Sequence, residues 1–466
     1  MIARACALLF AARTSLRHRD AAHAAAFVAG AHATLGRDGV LTRRARGTRI
    51  ADHARMHLSQ WIAVVSCLTS VALPNVAAHA QAVADAPVAA ALGTRLAPSG
   101  TIALPGRGLA LAWSPDGRAL AAGGHFKDYA TGQRYDTRLI DVPGRRLLAK
   151  SFDCHGWWVV SLAWTLNPFV GEVIADGGGD HAVKVWSVAG PGSTTCRPGQ
   201  FRSADGGLKA LYQINGWVTS LAFSPDGRFL ATASRDRAIR IWQVEPGPDQ
   251  WKVVRLWWDV DAGNFLSVRW SSDGQRVLTG DRRGRVAEYR FDPTLDRWDA
   301  DTIARFARVG WSQQPRWYNA NPAAVGRTPL WSDGGHKQVW NARYSPDGAR
   351  VVAGGGDGVL SVFAAGTGAL VYRTTPPKPT PLLGLDWSPD GALIAAGGAD
   401  HRLYVFAAAD GTLLSRLDGH REDVTAVAWA PDGRTLASTA GGPLLNLALN
   451  PIVTGPDDAV HLWSRN

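Results

Sequence analysis

The feature that most constrains this chain is a short apolar segment closed by a turn, which returns seven times between residues 109 and 440. Four copies carry Ser-Pro-Asp-Gly, at 114–117, 224–227, 345–348 and 388–391. Two carry variants, Ser271-Ser272-Asp273-Gly274 and Ala430-Pro431-Asp432-Gly433, and one keeps the apolar segment Val159–Trp164 without the turn. In such a turn Pro presets φ at the second position, Asp tolerates the third, and Gly accepts the left-handed conformation that closes a hairpin. Alternating small and apolar residues on either side then read as two antiparallel strands. A third strand follows in six copies and ends in an aromatic, as in Val183-Lys184-Val185-Trp186 and Val460-His461-Leu462-Trp463. An Asp stands six residues before five of these aromatics: Asp180, Asp236, Asp357, Asp400 and Asp457. The aromatics ahead of the turns, Trp113, Trp164, Phe223, Trp270, Tyr344, Trp387 and Trp429, are spaced by 51, 59, 47, 74, 43 and 42 residues.

The shortest spacings match the ~40–45-residue period of a propeller blade, and the longer ones imply insertions. On these tandem copies the chain resembles the WD40-repeat family over essentially all of residues 101–466. The resemblance implies an all-β, seven-bladed β-propeller of four-stranded antiparallel blades. Only Ser464-Arg465-Asn466 follows the last third strand, too little for a fourth. The resemblance implies that the apolar Thr101–Pro105 supplies it and closes the ring, which would protect an otherwise bare sheet edge. The family also implies a structural hydrogen-bond network of His, Ser/Thr, Asp and Trp, most complete here as His420, Ser438, Asp457 and Trp463. His155 and His336 precede the second and fifth blades, while the third keeps Thr232, Asp236 and Trp242. The first and fourth blades depart most, with Arg283 where the fourth blade's Asp would fall.

Chemistry is sought and not found. His420, Ser438 and Asp457 are the residue types of a hydrolase triad, but each falls on a repeat position, and no nucleophile-elbow sequence surrounds Ser438. Gly177-Gly178-Gly179-Asp180 and Gly354-Gly355-Gly356-Asp357 lack a following helix and a P-loop Lys, so they read as hairpin turns. No acidic cluster has calcium-loop spacing. His125, His181 and His401 are isolated. The four cysteines, Cys6, Cys67, Cys154 and Cys196, show no zinc-type pairing. In the implied blade geometry Cys154 enters an inner strand on one face and Cys196 lies toward the other, so free thiols are expected unless the 190–213 insertion folds back. The expectation is no catalytic residue, no metal and no cofactor.

The charge points the same way. Ten arginines and three aspartates in residues 1–80 hold +7 of the formal +11, leaving +4 over the other 386 residues. A near-neutral body lacks the concentrated basic face of a nucleic-acid binder. Residues 1–55 read as a poorly structured extension or an overextended start. Residues 56–80 have the form of a signal peptide, with a thirteen-residue apolar run and a small-x-small site at Ala78-His79-Ala80. That run is short of the ~20 residues of a transmembrane helix. A lipobox reading at Cys67 places the cysteine mid-run and is weaker. Residues 81–100 read as a linker. The leader points to a periplasmic or secreted protein, or to a cytoplasmic one if 56–80 is not a signal.

A propeller without chemistry of its own works, by family resemblance, as a protein–protein interaction scaffold, here expected in a bacterial envelope. The residues that face the narrower mouth in relatives correspond to Trp158, Trp217, Asn264, Gln338 and Asp423, with Trp340 and Arg235 beside them. Large aromatics and Arg are enriched at interface hot spots, so Trp158, Trp217, Arg235, Gln338, Trp340 and Asp423 form the expected partner-binding set. The same tryptophans could instead pack between blades. The 291–335 stretch, rich in Trp, reads either as a contact surface or as an outer strand with a long turn. Two rivals stay open: a propeller enzyme of dehydrogenase or lactonase type with a central-channel site, and a TolB-like envelope propeller.

Overall fold

The computed structural model describes residues 34–35, 41–42, 95–128, 132–189, 207–211, 214, 216–243, 252–258, 264–291, 331–333, 335–441 and 457–465. The chain divides into two units, Met1–Pro87 and Val88–Asn466. In the first, the described residues form one antiparallel pair, Thr34–Leu35 with Leu41–Thr42. The expected signal peptide at 56–80 lies outside the described residues, as do most of the 1–55 extension and residues 81–94.

The second unit is made of seven four-stranded antiparallel sheets. Strands a to d of each blade run outward from the centre. Blade 1 holds Gly106–Trp113, Ala119–Asp128, Gly132–Asp141 and Arg146–His155. Blade 2 holds Val159–Asn167, Gly171–Gly178, Val183–Ser187 and Gly207–Leu211. Blade 3 holds Val218–Phe223, Phe229–Ser234, Ala238–Gln243 and Lys252–Trp258. Blade 4 holds Phe265–Trp270, Arg276–Asp281, Val286–Arg290 and Trp331–Asp333. Blade 5 holds Val339–Tyr344, Arg350–Gly355, Leu360–Ala364 and Leu370–Thr374. Blade 6 holds Leu382–Trp387, Leu393–Gly398, Leu403–Ala407 and Leu413–Leu417. Blade 7 holds Val424–Trp429, Thr435–Ala440 and Ala459–Arg465, with Leu96–Ala103 as its outer strand.

The recurring turn joins strands a and b, and its serine is the clamp. Ser114 donates to the Asp116 carboxylate at 2.6 Å and accepts the Ala119 N–H at 2.9 Å. Ser224 repeats this with Asp226 and Phe229 at 2.5 and 2.9 Å. Gly117 and Gly227 sit at φ +71° and +68°, the left-handed region where a Cβ is strained. Two blades depart from the pattern. In blade 2 the Asn167 side-chain oxygen accepts the N–H groups of Phe169 (2.8 Å) and Val170 (3.0 Å), while its amide donates to the Gly227 carbonyl at 2.7 Å. In blade 7 Ala430 has no hydroxyl to offer, and Asp432 alone receives the Arg434 N–H.

The ring closes as the strand count requires. Leu96–Ala103 pairs antiparallel with Ala459–Arg465, placing Ile102 opposite Val460. The strand starts at Leu96, so the expected 81–100 linker is too long and the propeller begins before Thr101. Pro98 and Gly100 disguised it. An outer strand tolerates Pro at an irregularity, and the register shifts between Pro98 and Gly100. Leu96 is buried beside Leu393, Val405 and Val427.

The core is distributed between blades. Seven apolar clusters fill the seven blade junctions. The closing junction joins Val460 and Leu462 of blade 7 to Trp113, Leu120 and Ile140 of blade 1. The aromatics ahead of the turns staple these junctions. Trp113 donates to the Ala428 carbonyl (3.0 Å), Trp270 to Ala222 (3.1 Å) and Trp387 to Arg343 (3.3 Å), each on the preceding blade. Each such bond contributes about 1 kcal/mol beyond the burial of the indole. Among the described residues there is no helix, hence none long and apolar enough to cross a membrane.

Two further expectations meet the coordinates only in part. Cys154 falls in strand d of blade 1, not in the loop entering an inner strand; its side chain and Cys196 lie outside the described residues. Residues 292–330 also lie outside them, while Trp331–Asp333 of the same stretch forms the outer strand of blade 4.

Candidate functional site

Two groups of polar side chains stand out, one at the blade edges and one at the channel. In blade 7, His420 pairs through Nδ1 with Asp457 (2.7 Å) and through Nε2 with Ser438 Oγ (2.7 Å), and Trp463 donates its indole N–H to Ser438 Oγ (2.8 Å). Asp457 also receives the Arg421 N–H at 2.8 Å and His461 at 2.9 Å. Burial pulls the His420 pKa down against the opposing pull of Asp457. The bonding pattern follows from a neutral ring: Nδ1–H donates to Asp457, the Ser438 hydroxyl donates to Nε2, and its oxygen accepts from Trp463. Burial opposes ionisation of Asp457, but the hydrogen bonds of His420 and His461 overcome it and hold its pKa well below the carboxylate range.

Blade 2 builds the same network from different chemistry. Its strand b carries Asp176 where blade 7 has Ser438; the two lie opposite Leu162 and Val427 of the inner strands, each two residues before the anchoring Trp. His155 therefore faces a carboxylate on both nitrogens, Asp180 at 2.8 Å and Asp176 at 3.0 Å. Asp176 also accepts the Trp186 indole N–H at 3.1 Å and the Thr137 hydroxyl of blade 1 at 2.8 Å. Burial and Lys184 oppose protonation of His155, yet the charge and hydrogen bonds of Asp176, joined by Asp180, outweigh them and raise its pKa. An acceptor at each ring nitrogen favours the imidazolium form, in which both N–H groups donate. The sequence reading missed Asp176, for which the doublet Asp176 and Asp180 ahead of Trp186 was the available signal.

The remaining blades thin this pattern out. Blade 3 lacks the His; Arg240, at the strand c position of Lys184 and His461, grips Asp236 at 2.7 Å, while Trp242 donates to Thr232 at 3.1 Å. In blade 4 the carboxylate is Asp281, which receives the N–H groups of Arg283 and Arg285 at 2.9 Å each. Arg283 stands where the repeat places the acid, and the carboxylate comes two residues earlier, at Asp281. In blade 5 His336 meets Asp357 at 3.0 Å, with Ala353 and Phe363 in place of Ser and Trp.

The triad-like set His420, Ser438 and Asp457 forms one hydrogen-bonded cluster. Ser438 is fully buried, so its hydroxyl cannot reach a substrate while the sheet is intact. His420, Asp457 and His461 also bring three ligand-type atoms within 4.8 Å of one another. Both nitrogens of His420 are already taken by Asp457 and Ser438, which suits a hydrogen-bonded lock better than a metal centre.

The second group lies at the central channel, which is lined from all seven inner strands. Trp217, Arg235 and Trp340 share this lining, and the Arg235 guanidinium stacks over the Trp217 ring at 4.2 Å. The Arg235 N–H also donates to the Trp217 carbonyl at 3.0 Å, fixing the turn against the strand entrance. The Trp340 indole N–H is buried without a hydrogen-bond partner. The other three expected contact residues lie apart from this lining. Trp158 is only 8% exposed and stacks on His125 and Trp157, so it packs between blades and cannot itself serve as a contact. Its neighbour Trp157, 42% exposed and stacked on Tyr135, carries the open aromatic surface at this blade entrance. Asp423 is likewise buried, 3.7 Å from His401, and Gln338 is half-buried at a turn where its carbonyl accepts the Gly356 N–H.

Comparison with known proteins fits this architecture. The family model "WD domain, G-beta repeat" matches residues 208–243, 327–363, 372–406 and 411–464. Each match spans one blade's outer strand and the next blade's inner three. The chain is 26% identical over 140 residues to Protein HIR1 of Kluyveromyces lactis, covering 29% of this chain and 16% of that protein. It is 28% identical over 156 residues to Protein transport protein SEC13 of Pyricularia oryzae, covering 28% and 50%. It is 25% identical over 249 residues to the Ribosome biogenesis protein WDR12 homolog of Ixodes scapularis, covering 46% and 53%. The chain thus spans about half or less of the length of these relatives. They overturn the expected periplasmic or secreted location and the bacterial envelope setting. All three are eukaryotic, and the last two are named for protein transport and ribosome biogenesis.

Proposed function

Because the chain is a seven-bladed propeller of the WD40-repeat family, we propose that it acts without catalysis, as a rigid scaffold presenting its channel mouth to a protein partner. The observation that carries this reading is the convergence of Trp217, Arg235 and Trp340 on one channel lining. Arg and Trp are the side chains most enriched at interface hot spots. Here Trp217 and Trp340 sit at the entrances of inner strands and Arg235 in the turn after strand b, all held by four-stranded sheets, so little ordering cost remains on binding. The blade-edge networks supply rigidity, and their histidines and acids are committed to one another.

The test is capture of partner proteins from native extract on immobilised full-length chain, with Trp217→Ala and Arg235→Ala compared to wild type. Each truncation of a hot-spot residue is expected to cost at least ~2 kcal/mol of binding, roughly thirtyfold in affinity, with the melting temperature within about 2 °C of wild type. Capture unchanged by both variants defeats the proposal. So does a large melting loss in both, since the stack would then be packing alone.

A further inference from the structure

One position of the inner strand breaks the sevenfold repetition. Immediately before the anchoring aromatic, blades 1, 2, 3 and 7 carry Ala112, Ala163, Ala222 and Ala428. Blades 4, 5 and 6 carry Arg269, Arg343 and Asp386 instead. Three charges thus stand side by side on consecutive blades, at a position where the fold needs only a methyl group.

Their contacts form an arc. Arg269 donates through Nη1 to Ser220 Oγ (2.8 Å) and the Leu221 carbonyl (3.1 Å) of blade 3, and to its neighbour's Val268 carbonyl (2.6 Å). Arg343 donates through Nε to the Leu385 carbonyl at 2.9 Å and lies 3.8 Å from Asp386. Asp386 in turn accepts the Trp429 N–H of blade 7 at 2.8 Å. Both arginines line the channel. The arc therefore has two guanidiniums and one carboxylate, and Arg269 makes only neutral hydrogen bonds. Its Nε is buried with no hydrogen-bond partner. Burial, then repulsion from Arg343, pulls the Arg269 pKa well down, and burial raises that of Asp386. Asp386 offsets only part of this, and a half-buried guanidinium with incomplete compensation costs free energy that a bound anion recovers.

We propose that the central channel holds one oxyanion, carboxylate or phosphate in class, at the stretch of its wall that carries Arg269 and Arg343. Two forked guanidiniums on adjacent strands match a planar or tetrahedral oxygen array better than a point charge does. The path inward is also cationic, since Arg235 stands in the same lining. The position is five residues further along the strand than the equivalent of Trp217, so the site stands whether or not the mouth takes a partner. The chemistry is common to free inorganic phosphate and to a glutamate side chain inserted by a peptide.

Calorimetric titration of the full chain with inorganic phosphate, and separately with a short glutamate-terminated peptide, tests this at constant ionic strength. One-to-one binding of either probe is expected, and which one binds identifies the source. Arg269→Gln and Arg343→Gln should each weaken binding by about tenfold or more, because each removes a charge-assisted hydrogen bond. Asp386→Asn should tighten it severalfold by removing the competing carboxylate. Should the glutamine variants fail to fold, the wild-type melting temperature must rise saturably at low millimolar concentration of whichever probe binds, and not with the same concentration of chloride. Binding of neither probe at 10 mM overturns the proposal, as does phosphate binding that both glutamine variants leave unchanged.

Discussion

Blade 2 and blade 7 hold their edges with the same layout and opposite charge states. In blade 7 a neutral His420 sits between Asp457 and the Ser438 hydroxyl. In blade 2 a protonated His155 sits between two carboxylates, Asp180 and Asp176. One residue in strand b, Ser or Asp, decides which. The sheet accepts either solution, and in both the layout ties strands b and c to the loop entering the blade. The same pair of blades also lacks the clamping serine in its turn, replaced by Asn167 in one and by Ala430 in the other.

The sharpest way to break this comparison is to remove the decisive residue. Asp176→Ala strips the acceptor from His155, Trp186 and Thr137 and leaves a buried cation half-paired. Removing one partner of a buried ion pair costs about 3–5 kcal/mol. A denaturant midpoint that hardly moves would show that Asp176 is a passenger. Ser438→Ala is expected to cost less, about 1–3 kcal/mol, because it leaves His420 Nε2 and the Trp463 indole N–H unsatisfied but no charge unpaired.

The pH dependence separates the two blades by sign. The raised folded pKa of His155 gives a contribution fully present below its unfolded value of ~6.5. That contribution is lost as pH rises through the folded pKa. The lowered folded pKa of His420 works the other way: stability is intact above ~6.5 and erodes as pH falls from there through the folded value. Asp180 and Asp457, both depressed, add contributions present above ~3.9 and lost only well into acid. The stability gap between wild type and His155→Gln should therefore narrow toward alkaline pH, and the gap to His420→Gln should narrow toward acid. Parallel profiles for the two variants would remove the distinction. Smallest in size, Ala430→Ser should restore the turn clamp found in blades 1, 3, 4, 5 and 6 and add about 0.5–1 kcal/mol to the unfolding free energy; no gain would mean the serine is dispensable there.

Much of the fold could be read from the residues because strands a, b and c each announce themselves. The Ser-Pro-Asp-Gly turn marks the a–b hairpin, and the run ending at Trp186 or Trp463 marks strand c. Outer strands gave weaker signals, since they sit at an edge that tolerates Pro98, Gly100 and Ser99 without a clear alternation. The blade 7 network was legible through its hydroxyl. Its blade 2 counterpart was hidden because Asp176 replaces a hydroxyl by a carboxylate, and Asp281 was hidden by a two-residue shift. Trp158 and Asp423 look like surface residues from position alone; what buries them is the neighbouring blade, with which nothing in their local sequence pairs them. The Arg269, Arg343 and Asp386 arc was visible in principle, but only by reading down one column of the repeat across blades.

The division of labour between edge and mouth can be measured in one experiment: captured partner per folded molecule, together with melting temperature, for Asp176→Ala and Trp217→Ala side by side. Asp176→Ala is expected to melt well below wild type while its folded fraction captures normally, and Trp217→Ala to melt normally while capture falls. Loss of capture by folded Asp176→Ala, with Trp217→Ala binding as wild type, would place the working surface at the blade edge and contradict the assignment.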